Sequence, residues 1–481
     1  MSKSTFTRGL QCQKSLYLHK YHPELKDEIS EAQLARFQAG SDVGKKAQEL
    51  FPNGVEIPYE EGNYDGQVEK TRATLKKGVK IIYEAAVSFD NVFVKADILR
   101  KSGKGWEIYE VKNASKLKDE HLDDVAIQYY VVKSSGLPVS KAFVVYINDK
   151  YVRDGEIEVK KLFIAEDVTE AVIEQQAMVK KKVRALQKML RGDMPNVDIG
   201  RYCEEPYDCD FMGHCWKHIP EYSVFSLGGK GVNKFGLYRQ GIVRIEDLNL
   251  DSLNTQQRIQ VDAYLTRMEY IERDEVKKFL ASIRYPICFL DFETLNPPVP
   301  VFDGTKPFQQ IPFQYSVHFQ KSRGGKLHHS DYLAYPGKDF RKELLLKLLM
   351  DIPQNACVMA FSGFEKQVLN GLAGWFPAYK KQINTIINNL RDLAAPFRSR
   401  NVYHYQMIGS YSLKAVLPVL VPEMSYDNLA IQNGGMAMNA YSAMCGLKNR
   451  AEMNQLRKDL LEYCATDTLA MVKILEKLRR L

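Results

Sequence analysis

The chain has 481 residues, 45% hydrophobic and 26% charged, which is enough apolar material for two or three domain cores and too much for one. Its formal charge of +8 favours phosphate-rich partners without establishing one. No run of about 18 apolar residues occurs and the start Met1-Ser2-Lys3-Ser4 is polar, so neither a membrane span nor a signal segment is expected, and a cytoplasmic protein with no membrane partner is.

Residues 80 to 88 and 92 to 100 are predicted strands separated by Asp90-Asn91, and 106 to 112 is a third after the turn Gly103-Lys104-Gly105. A helix over 119 to 134 and a strand over 141 to 147 follow. From Glu166 to Leu190 the spacing of Val168, Val172, Val179, Val183, Leu186 and Leu190 predicts an amphipathic helix that stops at Gly192. A cysteine-rich loop comes next, and residues 222 to 280 read as short helices. Within them Leu237 to Leu248 resembles one helix-hairpin-helix unit, whose turn at Gly241 would present N–H groups to a phosphate; a helical linker with a glycine cap gives the same text. A new α/β domain begins at Tyr285-Pro286. The expected organisation is thus a multidomain α/β chain with domains at 1–220, 221–282 and 283–481.

In the first domain Asp97 lies on one predicted strand and Glu110-Val111-Lys112 on the next. Glu110 and Lys112 share a face, and a hairpin that sets Asp97 opposite them gathers Asp, Glu and Lys at one point. Such a group could bind Mg²⁺ through its carboxylates while Lys112 polarises water or a phosphate oxygen. Glu84 on the preceding strand and Gln128 on the following helix complete an ordered set that resembles the PD-(D/E)xK nucleases of the RecB type, which implies a restriction-endonuclease-like fold.

Eight cysteines in a protein of this kind are better explained as metal ligands or small buried apolar residues than as disulfides. Cys288, Cys357 and Cys464 sit in apolar or helical text and Cys445 near a turn. Cys12 precedes the nuclease-like core, whereas Cys203, Cys209 and Cys215 follow it at even spacing. That split resembles the iron–sulfur members of the RecB-type family, which implies a 4Fe-4S cluster held by these four thiolates and cross-linking both ends of the domain. Zn²⁺ is the alternative, although zinc ligands usually pair two to four residues apart and the gaps here are wider.

In the last domain the apolar run Ile287 to Leu290 ends in Asp291-Phe292-Glu293. Residues two apart on a strand share a face, so both carboxylates project together and invite a divalent cation that offsets their repulsion. A second strand, 356 to 361, leads into Glu365 in the first turn of a helix lined by Phe364, Val368, Leu369 and Leu372. On a late helix, 455 to 478, Tyr463 and Asp467 lie one turn apart.

This order of motifs resembles the DEDDy exonucleases of the DnaQ-like, RNase H-type fold. The resemblance implies two Mg²⁺ or Mn²⁺ ions about 4 Å apart, with Asp291, Glu293, Glu365 and Asp467 as ligands and Tyr463 orienting water. The second motif usually has Asp, so Asp392 is a rival to Glu365. Glu462 rather than His precedes Asp467 by five, against the histidine subtype. Together with Pro312 to Ser316 and Gly409 to Lys414, these segments are similar to an uncharacterised bacterial domain family usually joined to a RecB-like half. Gln314, Ser412 and Lys414 are candidates for contacts to a substrate backbone. The function expected is a metal-dependent nuclease acting on DNA or RNA, with DNA the favoured partner and a 3′ to 5′ exonuclease in the last domain. The alternative is a non-catalytic nucleic-acid-binding or scaffold protein built from degenerate nuclease domains.

Overall fold

The computed structural model describes residues 1–103 and 105–481, so Lys104 of the first predicted turn lies outside the described residues. The chain is a multidomain α/β protein that divides into two compact units, not three. One comprises Met1–His218 with Pro297–Phe308, and the other Ile219–Asn296 with Gln309–Leu481. The middle segment therefore belongs to the second unit.

In the first unit six strands form one mixed sheet in sequence order: β1 (Val55–Glu56), β2 (Ile81–Phe89), β3 (Val92–Ser102), β4 (Gly105–Lys112), β5 (Val139–Ile147) and β6 (Phe163–Asp167). β2, β3 and β4 are an antiparallel meander, whereas β5 runs parallel to β4. That parallel step requires a crossover, supplied by a helix between the two strands. Four helices matter to the site: α1 (Lys3–Gln11), α2 (Gln13–Tyr21), the crossover α3 (Asp119–Ser134) and α4 (Thr169–Met189). Alternation along the strands separates two cores. Leu99, Ile108 and Val144 pack with Val125, Ile127 and Val183 of α3 and α4, while Ile98, Tyr109 and Val145 pack with Val43, Ala47 and Leu162 on the other side. By the same parity Asp97, Glu110 and Lys112 face α3.

The second unit opens with a small core of Val224, Leu227, Ile245, Leu248 and Val261. Residues 222 to 280 form short helices, among them Lys234–Arg239, Thr255–Thr266 and Arg273–Ala281, but the helix-hairpin-helix resemblance at Leu237 to Leu248 is not met. The helix Lys234–Arg239 has six residues, and Gly241 (φ 81°) is followed by a 3-10 turn at Ile245–Asp247, not by the second helix of a helix-hairpin-helix. The β-branched pair Ile242-Val243 and a bridge between Ser223 and Arg244 keep that backbone extended. A two-residue strand, β7 (Tyr270–Ile271), pairs with a later one, Val402–Tyr403.

The main sheet of this unit has five strands: β8 (Ile287–Leu295), β9 (Ile311–Gln320), β10 (Leu327–Leu333), β11 (Cys357–Ala360) and β12 (Leu390–Asp392), in the order β10-β9-β8-β11-β12. The first three are antiparallel, and β11 and β12 run parallel to β8. Cys288, Leu290 and Phe292 point into a core with Leu344 and Leu348 of one helix and Val368, Leu369 and Leu372 of α5 (Phe364–Trp375). The opposite face, bearing Asp291 and Glu293, is covered by the long helix α8 (Arg450–Leu478), joined to it by hydrogen bonds from Gln314 Nε2 to the Leu460 carbonyl (2.7 Å) and between Ser316 and Thr468 (2.7 Å). Two further helices, α6 (Leu413–Leu420) and α7 (Gly434–Met444), complete the rim.

Candidate active sites

In the second unit, strand alternation brings Asp291 and Glu293 to one face of β8, and α8 crosses that face with Asp467. One oxygen from each of these three carboxylates lies within 4.8 Å of the other two. They line a cavity of about 650 Å³ together with Glu365, Tyr463, Ser412 and Lys414. Glu365 enters from the first turn of α5, is 3% exposed, and its Oε2 has no hydrogen-bond partner. A buried carboxylate oxygen without a donor is costly, and a cation at this point would satisfy it. Asp392 is engaged elsewhere: it accepts from Arg398 Nη1 at 2.6 Å and from the Ala394 amide at 2.9 Å, and it does not line the cavity. Gln314, a sequence candidate for substrate contact, is instead fully buried and tethers α8.

The electrostatics agree with a cation-binding role. Burial, then the Asp467 carboxylate, pushes Asp291 well up and Glu293 up to about 8. Glu365 is raised to about 7, first by burial. Asp467 is raised to about 6 by burial, against hydrogen bonds from Tyr426 and Tyr463 that favour its ionised form. Tyr426, which donates to Asp467 Oδ1, carries no sequence signal, because it lies in the irregular segment before α7. Cys464, read from sequence as a bland helical residue, is buried with its thiol 3.4 Å from Asp291 Oδ2. The Lys414 ammonium stands 5.7 Å from the centre of the Tyr463 ring and hydrogen-bonds the Gln432 carbonyl.

In the first unit Glu110 is the hub. Its Oε1 accepts from Lys112 at 2.8 Å and from Lys3 at 2.6 Å, and its Oε2 accepts from Gln128. Lys112 also bonds Asp124, one helical turn before Gln128 on α3. Asp97 Oδ2 accepts from the Val111 amide at 2.7 Å, and burial, then Glu110, pushes its carboxyl up to about 8. Burial alone would raise Glu110 too, but Lys112 and Lys3 outweigh it and hold the group below its ordinary value. Glu84 occupies a left-handed conformation (φ 55°) where β2 passes Asp97, and pairs with Lys95 at 3.3 Å. The sequence brought out Asp97, Glu110, Lys112 and Gln128; Lys3 and Asp124 were missed. Asp124 had a signal, its four-residue spacing from Gln128.

Cys12, Cys203, Cys209 and Cys215 line one small pocket with Ser15, Tyr202 and Phe211. Cys12 is the N-cap of α2, its sulfur accepting from the Ser15 amide at 3.4 Å, and Cys209 lies 3.4 Å from the Ser15 hydroxyl. Burial, then for Cys12 the neighbouring Cys209 and Cys203, raises the thiols of Cys12 and Cys215, a cost that a bound cation would reverse. Among the described residues these sulfurs do not meet the 4.8 Å spacing of the carboxylate trio.

No described helix is long and apolar enough to cross a membrane. A family model described as "Domain of unknown function (DUF2779)" matches residues 288–412, a stretch that holds Asp291, Glu293 and Glu365 and ends before Asp467. The chain is 30% identical over 210 residues to "Uncharacterized protein MG366" of Mycoplasma genitalium, covering 39% of this chain and 31% of that protein. Its homolog in Mycoplasma pneumoniae is 28% identical over 220 residues, 42% of this chain and 33% of its own length. "Uncharacterized protein UU173" of Ureaplasma parvum is 23% identical over 283 residues, 53% of this chain and 40% of that protein. The matched stretches thus span well under half the length of each of these relatives.

Proposed function

We propose that the chain is a metal-dependent nuclease whose second unit hydrolyses phosphodiester bonds as a 3′ to 5′ exonuclease. The observation that carries this reading is the convergence of Asp291, Glu293 and Asp467 within 4.8 Å, with the unpartnered Glu365 oxygen in the same cavity. A mixed five-stranded sheet with helices on both faces is compatible with the RNase H-type fold that the motif order resembles. Divalent ions, when bound, would stabilise charge on the phosphate oxygens and activate water. The protein's own contribution is positional. Tyr426 and Tyr463 hold Asp467 in its ionised orientation, and Cys464 restrains Asp291. Lys414, on the cavity wall, supplies positive charge for a phosphate.

The first unit is read as a PD-(D/E)xK-type site that cuts or grips the strand, supported by Lys112 and Gln128 each donating to Glu110 beside Asp97. Four thiols around one pocket favour a metal centre there. The split of Cys12 from Cys203, Cys209 and Cys215 along the chain supports a 4Fe-4S cluster as its occupant, with Zn²⁺ as the alternative.

The test is digestion of 5′-labelled DNA and RNA oligonucleotides in Mg²⁺ and Mn²⁺. Wild type should shorten the strand stepwise, and Asp291→Ala and Asp467→Ala should each stop it. If both variants give the wild-type ladder, the second unit is not the source of the activity. If wild type gives no product under any condition, the binding or scaffold function takes its place.

A further inference from the structure

The N-terminal cluster holds a cation that the strand motif does not include. Lys3, the first residue of α1, bonds the same Glu110 oxygen as Lys112, and Gln128 takes the other, so both oxygens of a side chain that is 1% exposed are occupied. Lys112 is shared with Asp124, whereas the hydrogen bond of Lys3 is to Glu110. Three carboxylates, Asp97, Glu110 and Asp124, thus face two ammonium groups, and without Lys3 they would face one. Nor is Lys3 on a loose tail. Ser2 caps α1 through the Thr5 amide at 3.2 Å, and the Phe93 amide donates to the Met1 carbonyl at 2.8 Å, which pins the start of the helix to β3, the strand that bears Asp97. Gln128, fully buried beside Glu110, keeps its Oε1 without a partner, so the pocket retains an acceptor for a donor that the chain does not supply.

We propose that Lys3 is the built-in counter-ion of the N-terminal site, occupying the face of Glu110 that a divalent cation would take and competing with that cation for it. The proposal rests on the reading of Asp97 and Glu110 as metal ligands. A unit positive charge bonded to a ligand oxygen opposes entry of a doubly charged ion, and its removal leaves the carboxylates with greater net negative charge.

The experiment is Mn²⁺ binding, followed by electron paramagnetic resonance, to full-length protein carrying Asp291→Asn and Asp467→Asn so that the second unit does not contribute. On this background Lys3→Met should tighten binding about tenfold, and Lys3→Arg should stay near the parent. Lys3→Gln, which keeps a neutral donor to Glu110, should tighten it too and serves if Lys3→Met does not fold. Unchanged or weaker binding in a folded Lys3→Met or Lys3→Gln protein, with Glu110→Gln still removing the ion, overturns the counter-ion role alone. Binding that Glu110→Gln leaves unchanged in both the Lys3 and the Lys3→Met proteins removes the metal-site reading and this inference with it.

Discussion

Two tyrosines meet at Asp467, and they should not contribute in the same way. Tyr426 donates to Oδ1 from a different stretch of chain, so it fixes the carboxylate against rotation, while Tyr463, one helical turn from Asp467, faces the cavity. Tyr426→Phe is expected to raise the Mn²⁺ concentration needed for half-maximal cleavage with little change at saturating metal. Tyr463→Phe should lower saturated turnover on the order of 10²-fold or less, the range of a positioned polar group. Titrating metal against cleavage rate separates the two, and identical curves for Tyr426→Phe and wild type would leave Tyr426 a packing residue. The same assay decides between the rival carboxylates. Glu365→Ala should behave like Asp291→Ala, whereas Asp392→Ala should keep turnover and lose only the hydrogen bonds from Arg398 and Ala394.

At the scale of elements, the loop from Gly409 into α6 brings Ser412 and Lys414 to the cavity wall, and one glycine sets its path. Gly409 has φ 76°, and a Cβ there would come 2.1 Å from the Ser226 carbonyl oxygen, a backbone atom that cannot swing away. Gly409→Ala should therefore destabilise the second unit by at least about 2 kcal/mol, from left-handed strain plus overlap. Thermal denaturation checks this, and an unchanged midpoint would mean the loop shifts at little cost. Elements with strong apolar patterning were legible in the sequence: β8 lies where the apolar run put it and α4 where helical spacing did, while β8 and α8 carry Asp291, Glu293, Tyr463 and Asp467. Illegible were contacts made by irregular backbone or by distant chain. Tyr426 reaches Asp467 across 41 positions and Lys3 reaches Glu110 across 107, and neither leaves a local pattern. In the middle segment the short helices were legible but the helix-hairpin-helix was not met, because apolar spacing near Gly241 suits either a helix or the 3-10 turn that forms, and β-branched Ile242 and Val243 tip the balance.

Over the whole molecule, both units bury carboxylates that hold their protons unusually well in the absence of a cation. Asp97 and Glu293 are raised to about 8 and Glu365 to about 7, in each case first by burial. In the unfolded chain such groups ionise near pH 4. Between about pH 4 and pH 8 the folded state therefore binds protons that the unfolded chain has released, and stability contributed by these groups falls as pH rises. Depressed carboxyls such as Asp210, lowered to about 2, titrate below that window and do not offset it. Histidines do interfere: His318, lowered to about 4 by burial and then by His329, makes stability rise with pH below about 6.5. Comparing metal-bound with metal-free protein at each pH largely cancels them, because Mn²⁺ prefers carboxylate oxygens to thiols and imidazoles. The increase in melting temperature caused by saturating Mn²⁺ over EDTA should thus grow from pH 6 to pH 8. Asp97→Asn combined with Glu293→Gln should weaken that dependence, since neutral amides hold no proton for the ion to displace, and leave the part carried by Asp291 and Glu365. Calorimetric scans at pH 6, 7 and 8 provide the measurement. An increment that stays constant or shrinks with pH would mean that the ion binds away from these carboxylates, and both sites would then need other ligands.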